Sequence, residues 1–158
     1  MIELLIEPVK FFLSKGIDSF SKTAELKNLR LACVDRLKRE IRFNQAILAE
    51  VLNTSLSNEE KSALLVCLKT DAFDMINDSP IPVKLIISGN LNKSDWDNHT
   101  NKDRYLQWMK NDSSIQDLLE RVYFRIHVVK AIAPHSEKQR DYDYINYMLR
   151  CLMKELGR

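Results

Sequence analysis

Glycine and proline are scarce in this chain, three and four among 158 residues, so the turns that several β-hairpins require have few residues to build them. Leucine, lysine, glutamate and alanine, which suit helices, occupy much of the remainder. The sequence therefore predicts an all-α fold. A surplus of either charge is also missing: 24 Lys and Arg face 22 Asp and Glu, a net charge of +2. That balance gives no general field to draw in a polyanion or an anionic membrane. Cysteine is sparse too. Cys33, Cys67 and Cys151 stand apart, with no C-x-x-C and no His at ligand spacing, and read as reduced core thiols of a cytoplasmic protein. Asp71, Asp74 and Asp78 resemble a ligand set but lack an accompanying His or a second helical pair. No metal and no cofactor is expected.

No long hydrophobic run is present. Residues 1–13 are rich in apolar side chains, but Glu3, Glu7, Pro8 and Lys10 interrupt them, well short of the ~20 residues that span a bilayer. Ile2, Leu5, Ile6, Val9, Phe12 and Leu13 share one helical face, which predicts a short amphipathic helix over about 2–15, kinked or restarted at Pro8. Packing on the rest of the chain is the expected role of that face, and peripheral attachment to a membrane is the alternative.

What the sequence does contain is an unbroken helical pattern over about 18–53, capped by Asp18 or Ser19. Leu26, Leu29, Cys33, Leu37, Ile41, Asn44, Leu48 and Val51 recur there at three- and four-residue steps. Such a helix is roughly 50 Å long. Asn44 takes a seam position where an apolar residue is expected, and a buried amide there serves to fix the register between helices.

Ser57 with Glu60 forms a capping box that opens a helix over 57–77, folded back on the long one. Pro80 and Gly89 bound a short helix, and the polar stretch 90–101 reads as a loop with a turn near Trp96. Helical pattern resumes at Lys102. Ser113 with Gln116 and Ser136 with Gln139 repeat the capping device for helices over 113–133 and 136–156. Tyr144 and Tyr147 of the last helix are expected to be partly exposed, and His99 and His135 to lie at the surface. The expected architecture is one domain over 1–158: a mainly antiparallel helical bundle with a four-helix core, one long helix and short peripheral helices.

Partner helices of about 20 residues, or 30 Å, cannot cover a 50 Å stripe, which leads to the expectation of a homodimer. Its contacts would be Phe12, Leu13, Phe20, Leu26 and Leu29. Arg36, Lys38, Arg39 and Arg42 form a basic cluster, but i,i+4 pairing of Asp35 with Arg39 and of Arg36 with Glu40 describes a solvated helix face.

One segment carries a family likeness. Arg121-Val122-Tyr123-Phe124-Arg125-Ile126-His127 has the R-x4-6-H spacing and resembles the motif of HEPN domains, helical bundles that often cleave RNA as dimers. The resemblance implies Arg121 and His127 as catalytic residues. The segment departs from the family at Val122, where a polar residue commonly follows the Arg, and a continuous helix sets Arg121 and His127 about 120° apart. The leading expectation is a non-enzymatic interaction or regulatory module with an unidentified protein partner. An RNA-cleaving, HEPN-like domain is the alternative.

Overall fold

The computed structural model describes residues 3–16, 23–92, 99–109, 113–133 and 141–157. Among these the chain is all-α, with helices packed on one another as a bundle. The helices are α1 (Glu3–Lys15), α2 (Ala24–Val51), α3 (Asn58–Val66), α4 (Asp71–Asn77), α5 (Val83–Ile86), α6 (Lys102–Trp108), α7 (Ile115–Ile132) and α8 (Tyr142–Leu156). Asp18, Ser19, Phe20, Trp96, His135, Ser136 and Gln139 lie outside the described residues.

α2 is the axis. Thr23 caps it, its hydroxyl accepting from the Leu26 N–H at 3.3 Å, and its 28 residues make about 42 Å rather than 50. Beyond Val51, the Asn53 side chain takes both the N–H and the hydroxyl of Ser55 and turns the chain away. Every position of the expected stripe from Leu26 to Val51 is buried within the chain. α8 gives the largest cover, and α1, α3, α4 and α5 share the remainder. The argument for a dimer from an uncovered stripe is therefore corrected: the helix is shorter, and five partners cover it. Leu26 and Leu29, at 1% and 2% exposure, are core residues rather than contact residues.

α1 runs through Pro8 as one helix and ends at Gly16, whose φ of 76° favours glycine. Phe11 and Phe12 pack on the core, whereas Leu13 is 70% exposed.

The pattern expected as one helix over 57–77 divides into α3 and α4. The capping box at Ser57 and Glu60 is present, but residues 67–70 leave the helix although they contain no Gly or Pro. Two α2 side chains hold them out. The Asn44 amide donates to the Lys69 carbonyl and accepts from the Lys69 N–H, both at 2.7 Å. One turn earlier on α2, buried Glu40 accepts from the Ala72 N–H at 2.8 Å, supplying the first turn of α4 with the acceptor that Thr70 does not give it. The contacts Asn44 to Lys69, Glu40 to Ala72, Arg36 to Met75 and Arg30 to Leu85 descend α2 as they ascend the later segment, so the two run antiparallel.

Two further boundaries differ from expectation. The cap of α7 is Ser114 with Asp117 rather than Ser113 with Gln116. The neighbouring serine has the same spacing, and the shorter carboxylate binds the Ser114 N–H and hydroxyl at 2.6 and 2.7 Å. The short helix after Pro80 is reduced to one turn, α5, which leads into an antiparallel bridge between Asn90 and Ser114. Gly89 permits this approach: its φ is 135°, and a Cβ there would stand 2.9 Å from Ile115 Cδ1.

The thiols differ in exposure in a way that can be read chemically. Cys67 is corrected from a core thiol to an exposed one, while Cys33 and Cys151 are buried and burial pushes them up to about 11 and about 12. A neutral-pH thiol titration of the folded protein is expected to find one reactive cysteine, rising to three in denaturant. Rapid labelling of two or three in the native state would contradict the burial.

Candidate functional site

α7 carries both sequence-nominated groups and turns them in different directions. His127 faces α4, with Nε2 2.9 Å from Asp74 Oδ1, and its ring tilts against Phe73 at a centroid distance of 6.3 Å. Both side chains of this pair are nearly half exposed. Arg121 faces the other way, its guanidinium 4.8 Å over the Trp108 ring. The structure does not bring Arg121 and His127 together, because six helical residues advance the chain by about 240°. Asp74, which seemed to belong to an aspartate set, instead meets the His; among the described residues no group of three potential ligands forms a metal site.

A concavity lies where Arg121 points. A groove of about 750 Å3 is lined by residues of α7, by Asp141 and Ile145 at the start of α8 and by Trp108 of α6, with Arg121, Phe124 and Arg125 in its walls. Periodicity places these groups: 121, 124, 125 and 128 form one face of α7, about 120° around the helix from the buried seam of Leu119, Val122, Ile126 and Val129. Arg125 lies 5.4 Å from the Tyr144 ring, and Arg104 lies 4.0 Å from that same ring while pairing with Asp141. Burial lowers the Arg125 guanidinium from its ordinary value, and the nearby Arg121 and Arg104 charges lower it further. Phe124 stands at the rim, 69% exposed.

The tyrosines of α8 are corrected from partly exposed to buried, Tyr144 at 0% and Tyr147 at 3%. α6 and the segment before it cover the face expected to be open. His99 stacks on Tyr147 at 4.5 Å and Tyr105 meets it edge-on at 5.7 Å, so His99 is a half-buried packing group and not a surface residue. Asn101 ties the same segment to Asp143 at 2.7 Å.

The basic cluster of α2 also resolves differently. Asp35 and Arg39 approach at 4.0 Å, but Arg36 does not pair with Glu40. Its Nη1 lies 3.0 Å from the Met75 sulphur, because Glu40 is turned inward to Ala72. A smaller cavity of about 370 Å3 there mixes Arg36, Arg39 and Lys69 with Glu40 and Asp71.

Sequence reasoning missed Trp108, Arg104 and Arg125 as site residues. No local spacing joins α6, α7 and α8, and the one available signal was the recurrence of Arg and aromatic residues outside the α7 seam. No protein-family model, no curated protein and no solved structure matches this chain. Among the described residues no helix is long and apolar enough to cross a membrane.

Proposed function

We propose that this chain is a non-enzymatic, cytoplasmic interaction module whose recognition surface is the groove of α6, α7 and α8. The observation that carries the reading is Phe124, 69% exposed beside Arg121 and Arg125, neither of which has an ion-pair partner among the described residues. Exposed aromatics flanked by arginines are the groups that dominate binding energy at protein interfaces. The separation of Arg121 from His127 favours binding over the HEPN-like alternative. A second copy of the chain is one candidate partner, and for that case Leu13 and Leu31, 70% and 63% exposed, offer further apolar contact.

A photo-cross-linking residue at position 124 of the full chain, expressed in its native host, tests the reading. It is expected to give a discrete adduct that is lost on adding Arg125→Glu, while the same group at position 52 does not give that adduct. An identical pattern from both positions, or an adduct indifferent to Arg125, would contradict it. Cleavage of RNA by the purified protein, abolished by His127→Ala without unfolding, would establish the alternative.

A further inference from the structure

We propose that the α6–α7–α8 groove takes a second copy of this chain, docked about a two-fold axis parallel to α7, so that each Phe124 enters the other copy's groove and each Glu120 meets the other copy's Arg125. The inference rests on reading this groove as the recognition surface, and it names the partner recognised.

A two-fold contact sets a patch against its own image, so a face with a surplus of one charge repels itself. This face has no such surplus. Asp141 is paired with Arg104, and the other charges of the groove are balanced, Asp117 and Glu120 against Arg121 and Arg125. They are placed for pairing between chains rather than within one. Five residues turn a helix through about 500°, so Glu120 and Arg125 stand about 140° apart, on opposite flanks of α7, with Phe124 and Val128 between them. Glu120 accepts from the neutral Gln116 amide at 2.7 Å and Arg125 lies against the Tyr144 ring. In heptad terms the two are a g position and the following e position, the pair that meets across parallel helices. Antiparallel helices bring like flanks together, which would set Arg125 against the arginines of the other copy. The charges select the parallel arrangement.

Shape agrees with charge. Arg121 and Arg125 lean toward α6 and α8, onto Trp108 and Tyr144, so the groove lies on their side of α7. Phe124, 69% exposed, stands on the other side, about 40° from Glu120 and about 100° from Arg125. A two-fold axis parallel to α7 exchanges these sides and lays Phe124 and Glu120 of each copy over the groove of the other. A cavity of about 150 Å3 accepts a benzene ring, and the groove's volume of about 750 Å3 leaves room for Glu120 and the ridge of α7 beside it. Trp108, Val128, Val129 and Ile145 give Phe124 an apolar seat of the kind that anchors interfaces. Near the axis, Asp117 is held by its own cap and Arg121 by Trp108, which keeps each from its own image.

Sedimentation equilibrium of the full chain, from about 1 to about 300 micromolar, tests this. The parent is expected to rise from 18.5 kDa toward twice that mass. Glu120→Arg and Arg125→Glu each set like charges across the axis and are expected to weaken the dimer at least about tenfold. Two combinations should return it to within a few-fold of the parent: both changes in one chain, and an equimolar mixture of the two single variants. Residues five apart do not face each other on one helix, so rescue by the double change requires a second chain. Phe124→Ser is expected to lose at least about tenfold, and Arg39→Glu, on α2, to change little. A parent that stays at 18.5 kDa throughout overturns the assignment, as does a double change without rescue or a Phe124→Ser chain that dimerises like the parent. If a charge variant fails to fold, as circular dichroism would show, Phe124→Ser decides. A monomeric parent that still gives a discrete adduct through position 124, of a mass other than two chains, would overturn the second copy and leave the interaction module standing. No adduct through position 124 would remove the module reading itself.

Discussion

Asn44→Ala is expected to lower the unfolding free energy by about 3 kcal/mol, because it removes the partner of both the N–H and the carbonyl of Lys69 at once. Asn44 is fully buried, and its amide donates to the Lys69 carbonyl and accepts from the Lys69 N–H, each at 2.7 Å. Neither group can turn to another acceptor or donor while α3 and α4 remain on α2. Leaving a buried polar group unbonded costs about 1–3 kcal/mol, so two cost a large share of the 5–15 kcal/mol typical of a domain. Asn44→Leu should fare no better, since filling the volume restores no hydrogen bond. Urea unfolding followed by circular dichroism measures the loss. A shift below about 1 kcal/mol would show that Lys69 finds water and that residues 67–70 are not held by this amide.

Glu40 supplies the second large effect, and its sign depends on the replacement. Glu40→Ala removes the acceptor of the Ala72 N–H and is expected to cost about 2–3 kcal/mol. Glu40→Gln keeps an acceptor for the Ala72 N–H and removes a buried charge. It is expected to stabilise the protein at neutral pH. Burial raises the Glu40 carboxyl above its ordinary 4.5, and the Ala72 N–H offsets part of that rise. The folded state thus holds this proton more tightly than the unfolded chain does. The stability it contributes is fully present below about 4.5 and is lost as pH rises through the folded value. The advantage of Glu40→Gln over the parent should therefore grow from pH 4.5 to pH 7. A gap that is constant or shrinks over that range would contradict a raised carboxyl.

These two side chains also mark where the sequence stopped being legible. The helical character of the chain was readable because the apolar stripe of α2 and the capping box at Ser57 are local signals. The break between α3 and α4 was not, since nothing in Cys67-Leu68-Lys69-Thr70 opposes a helix and the cause lies 25 residues earlier, in Asn44. The pairing of Arg36 with Glu40 failed for the same reason: i,i+4 spacing says that two side chains can meet, and not that a backbone N–H elsewhere outbids one of them. Tyr144 and Tyr147 looked half exposed while α8 was considered alone. The groove was hidden similarly, because Trp108, Arg121, Arg125 and Asp141 come from three helices whose approach no single pattern encodes.

The central claim is that recognition by this bundle resides in the α6–α7–α8 groove, and photo-cross-linking of the full chain in its native host tests it most directly. With the cross-linking group placed in turn at positions 124, 128 and 39, the account predicts one discrete adduct shared by 124 and 128 that vanishes in Arg121→Gln/Arg125→Gln. The same adduct from position 39, beside the smaller cavity, or adducts indifferent to the double variant, would contradict it.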